Sequence, residues 1–161
     1  MKRRATLLSS LLVIALSAGC ATKPAPASIT DTLARTPELS TLNKLVNDAG
    51  LADTLRGAGP FTVFAPNDEA FNAVPAATLE ALAKDKERLK SVLSYHAIAG
   101  QVLAADVKNG TAKTVQGANV ALARAGTFVT VEDAVVTTPD VLATNGVVHV
   151  IDRVLTPPPA K

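Results

Sequence analysis

The chain has 161 residues, 48% of them hydrophobic but only 3% aromatic, with 16 Lys and Arg against 14 Asp and Glu, two His, one Cys and no Trp. That length allows one domain with a sizeable core. A lone cysteine excludes a disulfide framework, and the near balance of charge excludes the basic footprint that nucleic-acid binding needs.

Lys2, Arg3 and Arg4 make a basic start, and Leu7 to Leu16 form an apolar run of about ten residues, the order and length of a signal peptide and too short for a membrane span. Leu16, Ser17, Ala18, Gly19 and Cys20 close the run with small residues around the only cysteine. This resembles the processing box of bacterial lipoproteins, with Ser17 where the commonest box has Leu. The resemblance implies that residues 1–19 are removed and that Cys20 carries acyl chains holding the protein at a membrane. The other reading is an ordinary secretory signal with a chance cysteine. Ala21, in place of Asp, implies transfer to the outer membrane if the envelope has two, leaving the domain periplasmic or at the surface. Loss of Lys2, Arg3 and Arg4 with the signal leaves 13 basic against 14 acidic side chains, so the mature part is not basic.

Residues 20–27, containing Lys23, Pro24, Ala25 and Pro26, read as the lipidated cysteine and a Pro/Ala spacer. One domain is expected over residues 28–156, followed by a Pro-rich tail, 157–161. Thr36 and Pro37 mark a helix start, with Leu39, Leu42, Leu45, Val46 and Ala49 at helical spacing until Gly50. Leu51 to Leu55 reads as a further short helix. Gly57, Ala58, Gly59 and Pro60 stop it before a strand, Phe61 to Phe64, which Pro66 ends. Asn67 and Asp68 are expected to cap a short helix through Phe71. Pro75 opens a helical stretch containing Leu79 and Leu82, then a charged segment with Leu89, Val92 and Leu93 on its apolar side. Short β runs follow at Thr114 to Val115, Val120 to Ala123, Phe128 to Val131, Val135 to Thr137 and Val147 to Ile151. Asn109-Gly110, Ala125-Gly126 and Asn145-Gly146 supply turns. Helices followed by strands predict an α+β fold, with helices on one side of a mostly antiparallel β-sandwich.

Three segments then carry a family resemblance. Gly59-Pro60-Phe61-Thr62-Val63-Phe64-Ala65-Pro66-Asn67-Asp68-Glu69-Ala70-Phe71, the pair Tyr95-His96, and Ala143-Thr144-Asn145-Gly146-Val147-Val148-His149-Val150-Ile151-Asp152 resemble the first block, the Tyr-His pair and the second block of fasciclin-like domains, in the family's order. The resemblance spans about residues 28–156 and implies a compact α+β domain of secreted and surface proteins associated with adhesion.

The residues themselves point away from catalysis. Mature serines are Ser28, Ser40, Ser91 and Ser94, and none sits in a Gly-x-Ser-x-Gly elbow. His96 and His149, even with Asp140 or Asp152, lack metal-ligand spacing and any cysteine to complete a zinc site, so no metal or other cofactor is expected. His149 lies in a strand with two apolar faces and reads as buried. His96 reads as bonding the carbonyls of a helix end, with the Tyr95 phenol finding a backbone partner. Glu132 and Asp133 read as turn charges.

Binding remains. Pro139-Asp140-Val141-Leu142 is similar to a Pro-Asp-Ile-Met segment of some animal matrix members of the family, implicated there in integrin contact; its other reading is a proline-marked strand entrance. Tyr95, His96, Asp140 and Val141 are the candidate partner-binding residues, for a protein or matrix partner of an envelope-anchored adhesion module. The alternative is a lipoprotein carrier of a small apolar ligand, which would need a contiguous apolar cavity.

Overall fold

The computed structural model describes residues 27–158. The expected signal segment 1–19, Cys20 and the spacer as far as Pro26 lie outside the described residues, as do Pro159 to Lys161. Among the described residues no helix is long and apolar enough to cross a membrane.

The domain opens with a helix that periodicity did not announce, α1 (Ile29–Arg35). Ser28 and Asp31 make a reciprocal capping box, the Asp31 amide donating to Ser28 Oγ and the Ser28 amide to Asp31 Oδ2, both at 3.3 Å. Ile29 and Leu33, one turn apart, are fully buried. The helix expected from Thr36 and Pro37 begins later, because Pro37–Leu39 is a single 3-10 turn before α2 (Ser40–Asp48). Thr36 caps nothing downstream; its hydroxyl donates back to the Thr32 carbonyl at 2.8 Å and closes α1. Next come α3 (Ala52–Arg56), β1 (Phe61–Pro66) and α4 (Asp68–Asn72), the last capped by Asn67 Oδ1, which accepts from the Ala70 amide at 2.8 Å. Asp68 reaches across to the start of α2, accepting from Ser40 Oγ at 2.8 Å and the Thr41 amide at 2.9 Å. The expected helical stretch after Pro75 is two helices, α5 (Ala76–Lys84) and α6 (Lys86–Tyr95), divided at Asp85, whose carboxylate caps α6 through the Arg88 amide.

Six more strands follow: β2 (Ala97–Ala99), β3 (Gly110–Lys113), β4 (Asn119–Ala125), β5 (Phe128–Val131), β6 (Ala134–Ala143) and β7 (Gly146–Ile151). Their order is β2-β1-β7-β6-β5-β4-β3. The β1–β7 pair is parallel, and the other five pairs are antiparallel. The sheet curls until its two ends meet, where Ile98 bridges Thr114 and the Val115 amide donates to the Ala97 carbonyl at 2.7 Å. The two facing halves are therefore one nearly closed sheet. The expected Thr114 to Val115 run is this closing bridge, and the strand proper lies just before it. Pro139 corrects a second expectation: it lies inside β6 rather than at a strand entrance. The register shifts between Val136 and Thr138 and again between Thr138 and Val141, and a bulge is where a residue without an amide proton is tolerated.

Strand alternation divides the interior into two cores. Val63, Ala65, Val148 and Val150 face the helices and pack with Ile29, Leu33, Leu42 and Leu89. Phe64 and Ile151 face the other way, against Val120, Val129, Val131 and Val136 of the facing half-sheet. β7 is buried along its whole length, as two apolar faces predict for a central strand.

The turn before β7 joins the layers. Asn145 Oδ1 accepts from the Ile29 amide at 3.0 Å, its Nδ2 donates to the Leu55 and Gly57 carbonyls at 2.6 and 3.2 Å, and its backbone carbonyl accepts from Phe61 at 3.1 Å. Gly59 and Gly146 allow this convergence, because a Cβ on either would run into the backbone of Asn145 or Phe61. Replacing Asn145 by Ala leaves three backbone groups short of a partner. At about 1 kcal/mol each, Asn145→Ala is expected to lower unfolding free energy by about 3 kcal/mol in urea denaturation. A loss under about 0.5 kcal/mol would mean that water replaces these bonds.

Candidate functional site

The structure withdraws two of the four candidate contact residues from the surface. Tyr95 and His96 end α6, whose Leu89, Val92 and Leu93 pack inward at helical spacing, and the two side chains follow them into the interior with 3% and 2% of their surface exposed. As a correction to the sequence reading, both are interior rather than part of an exposed contact face, although Tyr95 also lines a cleft. The tyrosine hydroxyl lies 3.2 Å from the Asn119 carbonyl and 3.3 Å from Glu132 Oε1, and burial, with the Glu132 carboxylate beside it, raises its pKa. His96 Nδ1 donates to the Val92 carbonyl at 2.8 Å, and its Nε2 accepts from the Leu155 amide at 2.9 Å. Burial pushes this imidazole down to about 4, so it is neutral at physiological pH.

Asp140 and His149 are brought together instead. The Asp140 amide donates to His149 Nδ1 at 3.1 Å, and His149 Nε2 donates to the Val102 carbonyl at 2.8 Å. The Asp140 carboxylate accepts from the Ala104 amide at 2.8 Å. Thr62 completes the attachment, donating to the Gly100 carbonyl at 2.7 Å and accepting from the Val102 amide at 2.9 Å. Together these bonds hold the segment from Gly100 to Ala104 against the sheet. Asp140 adopts φ 56°, a left-handed conformation that Asp tolerates better than most residues. Burial also lowers the His149 pKa, against the raising effects of the Val102 bond and the Asp140 charge, and the ring stacks on Phe64 with centroids 5.6 Å apart. Both ring nitrogens of each histidine are thus committed to backbone groups. Neither imidazole is poised to ligate a metal or to serve a nucleophile as base.

Of the Pro139 to Leu142 segment, Val141 turns toward the helix-side core, where it is half-buried, while Leu142 is 66% exposed. The apolar contact available at this bulge is Leu142, one residue beyond the pair singled out from the sequence. Pleat direction decides this, and the sequence could have shown it only with the bulges already known.

The concavities lie elsewhere. An apolar crevice beneath α5, lined by residues including Leu45, Phe71, Leu79, Leu89 and Val154, has a volume of about 20 Å³. Ligand pockets run to about 300–1,000 Å³, so a carried apolar ligand would require α5 to move. A polar cleft of about 430 Å³ opens where β7 ends, lined by Tyr95, Asn119, Glu132, Asp133 and Arg153 among others. Glu132 and Asp133 do form the expected turn, between β5 and β6, and the exposed glutamate reaches over β4 and accepts from the Ala121 amide at 2.7 Å. The cleft draws on four separate stretches of chain, and no local motif marks it.

The family described as Fasciclin domain matches residues 37–157. Protein sll1483 of Synechocystis sp. is 40% identical over 133 residues, covering 81% of this chain and 74% of that protein. Protein sll1735 of the same organism is 41% identical over 117 residues, covering 72% and 87%. The cell surface glycolipoprotein MPB83 of Mycobacterium bovis is 42% identical over 127 residues, 76% of this chain but 57% of that protein, so the chain spans little more than half of it. Among solved structures, the domain pair from the insect cell adhesion molecule fasciclin I superposes with a TM-score of 0.67 at 20% identity, covering 81% of this chain and 51% of that one. That likeness shows the fold.

The buried histidines set a pH dependence. His96 titrates near 6.5 when unfolded and about 4 when folded, so below the unfolded value the unfolded state takes up the proton first and stability falls with pH. Between about pH 7.5 and about pH 5, where most carboxylates stay ionised, His96 alone is expected to remove about 2 kcal/mol of unfolding free energy. His149 acts in the same direction. Urea titrations at both pH values check this, and in His96→Gln the slope is expected to flatten even where overall stability drops.

Proposed function

The chain belongs to the fasciclin domain family, and from this we propose that it is an envelope-anchored interaction module, held at a membrane by a lipid on Cys20 and binding a protein or matrix partner without catalysis. The observation that carries this reading is where the chain enters the domain. The Thr144 amide donates to the Ala27 carbonyl at 2.9 Å, and the adjacent Ile29 amide is held by Asn145, so the N-terminal segment meets the domain at the β6–β7 turn. Six residues lie between Cys20 and Ala27, so the span reaches about 25 Å at full extension. A lipid on Cys20 would keep the β6–β7 turn within about 25 Å of the bilayer surface. Exported and surface placement is supported by the 42% likeness to a mycobacterial cell surface glycolipoprotein.

The partner-binding face we assign is the bulged part of β6, where Asp140 is exposed and Leu142 stands out. An exposed leucine on a bulge fixed from below by His149 offers a rigid apolar contact, and rigid contacts lose little entropy on binding. Absence of catalysis is supported by the histidine geometry, in which neither ring has a free nitrogen.

In a cell that makes the full chain, Cys20→Ala is expected to move the protein from the membrane fraction to the soluble fraction. Persistence in the membrane fraction would overturn the lipid anchor. Leu142→Glu in the Cys20→Ala background is expected to weaken capture of the partner from envelope extract by about tenfold, with unchanged circular dichroism and melting temperature. Undiminished capture would remove this face from consideration.

A further inference from the structure

The polar cleft where β7 ends is unlike two other concavities of the domain. The crevice under α5 is apolar, and the hollow beside the Asn145 turn is lined by Gly, Ala, Pro and uncharged polar residues. Here charges of both signs line one concavity of ligand size, about 430 Å³. Glu132 and Asp133 come from the β5–β6 turn, Arg153 from the segment leaving β7, and Tyr95 from the end of α6. The ion pairs among the described residues are Arg56 with Asp53 and Lys84 with Glu80. Asp133 and Arg153 thus share the cleft without meeting each other.

One wall is fixed at Glu132, while Asp133 and Arg153 are exposed. Glu132 sits at φ 53°, a left-handed conformation that costs a β-carbon residue about 1–2 kcal/mol, and it keeps that turn while its carboxylate is tied to the Ala121 amide. The Tyr95 hydroxyl, 3.3 Å from the same carboxylate, stands behind it in the buried layer. A simple cation entering this cleft would meet the Arg153 guanidinium, and a simple anion would meet two carboxylates. A molecule carrying both charges offers each wall its opposite sign.

We propose that this cleft binds a small zwitterion of the α-amino acid class, its ammonium group against Asp133 and Glu132 and its carboxylate on Arg153. The guanidinium fork suits a carboxylate bidentately, and the paired acids give the ammonium group several acceptors. The proposal is independent of the lipid anchor and of the Leu142 face, since it rests on groups at the other end of the domain.

The test uses the Cys20→Ala chain, labelled with nitrogen-15 and titrated with alanine, with ethylamine and with propionate, the last two being alanine without its carboxylate and alanine without its ammonium group. Alanine is expected to shift the amide signals of Asn119, Ala134 and Leu155 saturably, and to bind at least about tenfold more tightly than either half-molecule. Asp133→Asn and Arg153→Gln, both at exposed side chains, are each expected to weaken alanine binding by at least about tenfold with an unchanged melting temperature. Absence of saturable shifts with alanine, equal binding of ethylamine or propionate, or full affinity in both variants would overturn the proposal.

Discussion

The imidazole of His149 sits at the middle of a strand buried on both faces, and much of the domain answers to the requirement that its two nitrogens be satisfied there. A strand with Val148 and Val150 toward the helices and Ile151 toward the facing half-sheet has no solvent side to offer a polar ring. An unpaired ring nitrogen in that place would cost about 1–3 kcal/mol. Two backbone groups are brought to it instead, the Asp140 amide and the Val102 carbonyl. The first requires β6 to bulge so that Asp140 turns its amide inward, and the second requires the segment after β2 to lie across the sheet. Both irregular segments that frame the proposed partner face follow from one buried polar residue.

His96 solves the same problem with the opposite tautomer. It donates from Nδ1 to the helix that carries it and accepts at Nε2 from Leu155, which fastens the segment following β7 to the end of α6. Arg153 and Thr156 on that segment, with Tyr95 from the adjoining helix end, are thereby placed around one cleft. The two histidines are fasteners whose neutrality makes them effective, and a proton on either would break one accepting bond outright.

The domain has two unlike ends. At one, Asn145 collects the start of α1, the end of α3 and the first residue of β1, and the chain arrives from its N-terminal side. At the other, separated by the length of β7, roughly 20 Å at 3.3 Å per residue, lie the charged turn and the polar cleft.

Much of this architecture was legible locally. Apolar positions at helical spacing from Leu39 to Val46, the Phe61 to Phe64 run, and the two apolar faces of Val147 to Ile151 determine by themselves which segments are helix and which are strand, because burial follows the period of the backbone. The Ser28 to Asp31 box was equally present in the sequence but lay beside a Pro/Ala stretch that masked a two-turn helix. What no local pattern could determine was direction. Pro139 sits mid-strand because two register shifts carry it there, Leu142 rather than Val141 faces outward because those shifts change which side each residue takes, and Tyr95 and His96 are interior because the β7 exit folds back over α6. Glu132 and Arg153 come to line one cleft only through the pairing of β5 with β6 and of β6 with β7. Hydrophobic period is a property of neighbours along the chain, whereas a cleft or an exposed face is decided by which distant backbone groups satisfy one another, and that only the tertiary structure settles.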